Sequence, residues 1–394
     1  MFTSASLLAL VAVGAAATGA CESPKGPEGI DLETAHPWWS HPDGTGLRLR
    51  APFGSESCPL FVATRFVASN NGLGHRMLDY LAGVLLALRY GAVFLHREMP
   101  EAGSVHGDFG GNAATFLGLG AHDPHWDQIV ARDGARVVEA REMAYAVDRR
   151  TACYGYEGSD GWLAAWLRDG GHRCGDVLLV ERHHNDDIGP ARWLLARRYR
   201  AHAQAVGRPR PQPLVDSPCA CHVALHYRMG DRSGVAMSSA YALQAVALVA
   251  GLASTLQPRL PVVLHVLTDD WPPDEWLHAV RELGDGAVLV HGRDEMTALG
   301  AFHFFTEADV LVMSRSSLSY VAAVFSMRPI VLAPPPFRDD SYPFRYCSPG
   351  SGFICLSENG TTASDEDARL LTFHVSRLHA ARRGRIACHV PPPG

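Results

Sequence analysis

Between residues 221 and 333, short β-rich apolar runs alternate with longer amphipathic segments. This alternation confines the chain to an α/β fold built on a parallel sheet. The apolar runs predict strands at 221–227, 261–267, 287–291, 309–313 and 329–333, and the segments between them predict helices at 237–255, 273–284, 296–305 and 316–326. Joins this short force each crossover to pack back on the sheet in the right-handed sense. The earlier half reads as a second α/β unit, with strands near 59–67, 91–95 and 176–181 and helices near 74–89 and 190–205. Between the two lies Gly207–Pro218, where four prolines in twelve residues exclude a helix or a central strand. The expected architecture is therefore two Rossmann-like domains facing a cleft, 58–206 and 219–394, joined by a proline-rich linker at 207–218.

The termini and the charge narrow the setting. Residues 1–20 contain an apolar Ala, Leu, Val and Gly stretch ending in Thr18-Gly19-Ala20, small residues suited to signal cleavage, with a short membrane anchor as the alternative. Residues 21–57 follow as a Pro- and Gly-rich lead-in. Nine cysteines agree with an oxidising compartment and an odd count leaves at least one unpaired, so the secretory pathway, in the endoplasmic reticulum or Golgi lumen or outside the cell, is the expected location. Separate disulfides are the expected reading of Cys219-Ala-Cys221, because no second pair with ligand spacing accompanies it. Asn359-Gly-Thr361 is a glycosylation sequon. A formal net charge of -6 supplies no basic field, which argues against nucleic acid as a partner. With one lysine, Lys25, against 34 arginines (35 minus 1), arginine number carries no meaning and position must.

Three polar clusters fall at the ends of successive predicted strands. They are His226, Arg228, Gly230 and Asp231; then Thr268-Asp269-Asp270; then Ser314-Arg315-Ser316-Ser317 at the start of a helix. Strand ends of one parallel sheet share an edge, and ligands of open α/β sheets bind along that edge. His226 and Arg228, two residues apart, share one face of their strand. Arg228 offers a rigid fork of donors suited to a diphosphate, and Arg315 is an alternative cation. Ser316 and Ser317 either cap the following helix or bind phosphate oxygens beside its free N–H groups. Asp231, Asp269 and Asp270 are either loop carboxylates or contacts to ribose hydroxyls or a base edge. Gly72-Leu-Gly74-His-Arg76 opens a helix after a strand, where glycine allows backbone to approach a ligand closely, or simply makes a tight turn. His183-His-Asn-Asp-Asp187 is read as a polar loop rather than a metal site, so no metal is expected.

Taken together, Gly72-Leu-Gly74-His-Arg76, His226-x-Arg228-x-x-Asp231, Thr268-Asp-Asp270 and the run from Phe302 through Asp309 to Ser316-Ser317 resemble the fucosyltransferase superfamily of core, nodulation and protein O-fucosyltransferases. The resemblance implies a GT-B-like architecture and inverting transfer of fucose from GDP-fucose to a glycan or glycoprotein hydroxyl, with no cofactor and no metal. It implies a diphosphate role for Arg228, nucleotide contacts for His226 and Asp309, and phosphate contacts for Ser316 and Ser317. Gly72, Gly74, Arg76, Asp269 and Asp270 complete the expected donor site. Met229 and Ala236 replace residues that carry a second arginine and a glutamate base in such enzymes. The base is thereby left open, with Asp231 the local candidate or else an ion-pair or turn residue. Another nucleotide-sugar donor, or a catalytically silent carbohydrate- or nucleotide-binding protein, is the alternative reading.

Overall fold

A computed structural model describes residues 59–66, 72–90, 92–100, 112–121, 123–133, 135–139, 173–180, 189–228, 238–269, 271–283, 287–292, 294–328, 330–335 and 353–383. Residues 1–57, His183–Asp187, Asp231 and Asp270 lie outside them. The first sheet contains β1 (Phe61–Thr64), β2 (Val93–Leu95), β3 (Val137–Glu139) and β4 (Val177–Val180), ordered β2-β1-β4-β3 with every pairing parallel. The second contains β5 (Cys221–Tyr227), β6 (Val262–Thr268), β7 (Val288–His291), β8 (Val310–Val312), β9 (Ile330–Ala333) and β10 (Ile354–Cys355). Its order is β10-β9-β8-β5-β6-β7, again all parallel. Counted from β5, this is the doubly wound order 3-2-1-4-5-6, whose winding reverses between β5 and β8. The expected α/β class holds, with two units each built on a parallel sheet.

The helices of the first unit are α1 (Leu73–Tyr90), α2 (Ala113–Leu117), α3 (Trp126–Asp133) and α4 (Gly189–Ala205). Then follow α5 (Gln212–Asp216), α6 (Ser239–Thr255), α7 (Asp274–Arg281), α8 (Ala298–Glu307), α9 (Ser317–Phe325) and α10 (Asp365–Arg383). Ser238, Thr297 and Ser316 cap α6, α8 and α9, each accepting a backbone N–H of the first turn. One face of the second sheet is covered by α6, α7 and α10, and the other by α8 and α9. The second face is shared: α1 and α4 of the first unit pack against α9, so Met77, Phe94 and Tyr199 join Phe302, Phe305 and Phe325 in one apolar layer. Tyr199 meets Phe302 and Phe325 edge-on, with centroids 5.6 Å and 6.1 Å away. Full burial of one such ring contributes ~1.5–3 kcal/mol, and the layer contains many. The two units therefore meet through a common core, and a ligand crevice has to lie at its rim.

The linker departs from expectation. It contains α5, with Pro213 inside the first turn, where its missing N–H has no helical acceptor to lose. It is also pinned down: His303 Nε2 lies 3.0 Å from the Pro209 carbonyl, Arg208 stacks 3.6 Å over the Phe116 ring, and Leu214 is buried. Cys221 is a second correction. Cys174, Cys219 and Cys355 are disulfide-bonded, but Cys221 is a free thiol, because β5 turns it into the core against Val223 and Leu225 rather than toward another cysteine. Burial, helped by the Asp309 carboxylate, raises its pKa.

At the amino edge of the second sheet, buried Asp309 accepts from Arg382 on α10 at 2.7 Å through both carboxylate oxygens. Its Oδ2 also accepts from the His222 amide at 3.0 Å, and Arg382 donates to the Pro218 carbonyl at 2.6 Å. The last helix is thus clamped to the starts of β5 and β8. Beside this clamp, three histidines form a ladder across neighbouring strands. His222 Nε2 donates to the Ser217 carbonyl at 2.8 Å, and a carbonyl only accepts, so the tautomer of His222 is set. Its Nδ1 then accepts from His265 Nε2 at 3.0 Å, and His265 Nδ1 accepts from His291 Nε2 at 3.3 Å. Each proton thereby dictates the next.

Burial lowers the pKa of all three, and in His265 it is pushed down to about 3, with His222 and His291 adding repulsion. The unfolded chain takes up these protons below about 6.5 while the folded ladder refuses them, so stability falls as pH drops through the window from 6.5 to about 3. His265 alone contributes a slope of about 1.4 kcal/mol per pH unit there. The urea midpoint of the wild type is expected to fall markedly from about pH 7 to about pH 4.5, and His265→Leu to flatten that dependence. An unchanged midpoint in the wild type contradicts the ladder.

Candidate functional site

The reversal of winding between β5 and β8 opens a crevice, because α6 leaves β5 toward one face of the sheet and α9 leaves β8 toward the other. His226 and Arg228 stand at the end of β5, and Ser314, Ser316 and Ser317 at the end of β8. Their side chains converge. Arg228 Nη1 donates to Ser316 Oγ at 3.0 Å, and His226 Nδ1 lies 2.8 Å from Ser314 Oγ. Ser319, one turn into α9, donates its hydroxyl to the carbonyls of Ser314 and Ser316 at 3.2 Å each, tying the loop before the helix to the helix itself. Ser316 Oγ accepts twice, from Arg228 and from the Leu318 amide at 3.3 Å. Its own proton is therefore directed to a third group.

The first unit supplies the other wall. The amino end of α1 abuts the amino end of α9 so closely that a Cβ on Gly74 would fall 2.4 Å from the Leu318 nitrogen and 2.6 Å from the Ser317 carbonyl carbon. Ser317 Oγ meets His75 Nδ1 at 3.0 Å across 242 residues of sequence. The Gly72 carbonyl accepts from the His75 and Arg76 amides at 3.1 Å and 3.3 Å, closing the first turn of α1. Each helix start carries a partial positive charge of about half an elementary unit, so two of them in contact repel. No acidic residue stands in the first turn of either helix. With Arg228 alongside, the locus is built for an anion having several acceptor oxygens.

His226 stays neutral here. Burial, with the Arg228 guanidinium as a second cause, pushes its pKa down to about 3. Its ring also packs on Phe305, centroids 5.2 Å apart, so it orients the β5 tip and brings no charge to it.

Gly72, Gly74, His226, Arg228, Ser316 and Ser317 thus gather at one place, and Asp269 lies at the tip of β6, one strand away. Arg76 is buried on α1 beside Asp79, and burial lowers its pKa despite that carboxylate. Arg315 turns toward Glu358, 3.7 Å away, rather than toward the serines. Asp309 requires correction: it precedes β8, so in a parallel sheet it stands at the amino edge, a strand's length from Ser314, where it holds Arg382. The nucleotide contact was what the resemblance implied, whereas the strand expected at 309–313 already put Asp309 at its start. Ser319 was missing from the expected site, and His75 and Ser314 stood in their motifs without a role. Their signal was the pattern Ser314-x-Ser316-Ser317-x-Ser319, in which every serine is buried. Among the described residues no group of three or more His, Cys, Asp or Glu is arranged to hold a metal ion.

No protein-family description and no curated protein sequence matches the chain. Among solved structures it is similar to POFUT1 in complex with GDP, at 11% identity over 71% of this chain and 98% of that one, with a TM-score of 0.38. It is similar to POFUT1 in complex with GDP-fucose at 10% identity, 71% and 98% coverage and a TM-score of 0.39. It is also similar to the E. coli heptosyltransferase WaaC with ADP-2-deoxy-2-fluoro heptose at 12% identity, 81% and 99% coverage and a TM-score of 0.30.

Two substitutions separate the two edges of the sheet. Gly74→Ala puts a methyl into the Leu318 backbone, so the helix ends must part, with about 1–3 kcal/mol of overpacking and a large loss of anion affinity. Asp309→Ala strands Arg382 and the His222 amide, so it is expected to lower unfolding stability by about 3–5 kcal/mol while the folded fraction keeps its affinity. Chemical denaturation paired with GDP titration reads both; wild-type affinity in Gly74→Ala, or lost affinity in folded Asp309→Ala, reverses the assignment.

Proposed function

We propose that this protein is a glycosyltransferase that binds a nucleoside-diphosphate sugar at the β5–β8 crevice, with GDP-fucose as donor and a hydroxyl of a glycan or glycoprotein as acceptor. The observation that carries the reading is the contact between the amino ends of α1 and α9 beside Arg228. A departing diphosphate accumulates negative charge as the glycosidic bond breaks. Prearranged donors aimed at it stabilise the transition state more than the substrate. Arg228, the helix amides and the Ser316 hydroxyl supply those donors from the chain itself, so the proposed reaction needs no metal at the diphosphate. GDP-fucose is preferred over other donors because the Arg228, Ser316-Ser317 and Gly72–Arg76 motifs are those of the fucosyltransferase resemblance. Attack by the acceptor from the face opposite the diphosphate inverts the sugar carbon. The proton of the acceptor hydroxyl goes to a base, and Asp231 remains the proposed candidate.

The proposed location is the secretory pathway. It is supported by three disulfide-bonded cysteines and by Asn359, exposed on a turn where Gly360 takes a left-handed φ of 78°. Among the described residues no helix is long and apolar enough to cross a membrane, and the possible anchor lies in residues 1–20.

The test is to incubate the secreted chain with a panel of nucleotide sugars and measure released nucleotide, with melting shifts by GDP and UDP alongside. GDP-fucose is expected to be consumed and GDP to protect more than UDP. Arg228→Ala is expected to lose about 3–4 kcal/mol of transition-state stabilisation, on the order of a hundredfold or more in rate. Near-normal turnover by that variant removes the role of Arg228. Absence of release from every donor, with retained GDP protection, favours a silent nucleotide-binding protein.

A further inference from the structure

The short strand β10 ends at the same edge of the second sheet as β5 and β8, because every strand of that sheet runs parallel to its neighbours. The chain then turns back on itself over Ser357–Thr361. Gly360 N donates to the Ser357 carbonyl at 2.9 Å, Ser357 N donates to the Thr361 carbonyl at 2.7 Å, and Leu356 faces Thr362 in an antiparallel bridge. Gly360 is buried with a φ of 78°, and a Cβ there would fall 2.6 Å from the Tyr241 carbonyl oxygen of α6, so the turn is seated on that helix. Asn359, one residue earlier, is exposed at its tip. Asn359-Gly360-Thr361 is the one Asn-x-Ser/Thr sequence in the chain. Its two functional side chains are unequally available. Thr361 Oγ1 lies 2.8 Å from Ser357 Oγ, so the two hydroxyls satisfy each other, and the Thr361 carbonyl is engaged as well.

We infer that Asn359 is an N-glycosylation site whose occupancy is decided before this turn closes. The inference rests on the secretory location proposed above. The transfer joins Asn359 Nδ2 to C1 of a lipid-diphosphate-linked oligosaccharide. The C1–O bond to the diphosphate breaks, the amide gives up one proton, and the lipid diphosphate leaves. The transferring enzyme reads the hydroxyl two residues on as well as the amide, which is why the sequence demands Ser or Thr there. In the nascent chain both groups are open. In the folded protein Asn359 remains exposed, but Thr361 is held by Ser357 through backbone and side chain, and Gly360 between them is pressed on Tyr241. Reaching both groups at once therefore requires that the turn lift off α6 and open. The fold accommodates the glycosylated product and withholds the form that is modified. A glycan at this tip flanks the crevice rather than filling it, since β10 stands two strands from β8 at about 4.8 Å per strand.

The test expresses the full chain in secreting cells and reads the peptide containing residue 359 by mass spectrometry after enzymatic release of N-glycans in heavy-oxygen water. With one sequon in the sequence, any glycan released reports on this site. An occupied Asn359 is expected in the wild type and in Thr361→Ser, which keeps the hydroxyl, and no glycan in Asn359→Gln. Chain made in cells whose lipid-linked oligosaccharide synthesis is blocked is then offered to detergent-solubilised oligosaccharyltransferase with that donor, once native and once reduced and unfolded. Attachment to the native chain is expected to be slower by about tenfold or more, because the turn has to open first. Ser357→Ala, which frees the Thr361 hydroxyl, is expected to narrow that gap. An unmodified Asn359 in wild-type chain whose Cys174, Cys219 and Cys355 are oxidised overturns the site. Equal rates on native and unfolded chain overturn the order of events. The same cysteines found reduced overturn the secretory location itself, and this site with it.

Discussion

Two helices that begin at the same point in space, with the same sign of partial charge, are held together by the absence of one methyl group. Gly74 lets the α1 backbone lie against Leu318 and Ser317 of α9, and no other residue type fits without moving one helix. The repulsion between the two positive ends is offset by the apolar layer behind them, where Met77, Phe94, Phe302 and Phe325 belong to one core. The site is therefore strained in charge and relaxed in packing.

The second sheet divides its labour between its two edges. At the carboxyl edge, serines, Arg228 and neutral His226 make a polar rim in which Ser316 Oγ accepts twice. At the amino edge, Asp309 accepts from Arg382 and from the His222 amide, and the His222–His265–His291 ladder is set by a single carbonyl.

Much of this was legible in the amino-acid sequence, and for physical reasons. β5 was readable to the residue, because a strand buried on both faces is a continuous apolar run bounded by polar residues. The convergence of Arg228 with Ser316 followed from strand order and the shared edge. What escaped had short-range signals overridden by packing. The edge strand β3 is largely exposed, α5 tolerates Pro213 in its first turn, and α10 is a mostly polar helix docked by a few residues such as Leu371, Val375 and Arg382. The resemblance gave Asp309 a nucleotide contact although the strand expected at 309–313 began with it, and its partner Arg382 is brought there only by the last helix. Cys221 differed from Cys219 only in which way β5 turned it. His75 was hidden because its partner, Ser317, is brought near only when the two units share a core.

The central claim is that one anion engages both helix starts at once, and hydrogen exchange of the backbone amides with and without GDP tests it most directly. The account predicts slowed exchange in segments covering Gly72–Met77 and Ser314–Tyr320 together, with the amino-edge segment around Asp309 unchanged. Protection of only one of the two segments, or protection concentrated around Asp309 and Arg382, would contradict it.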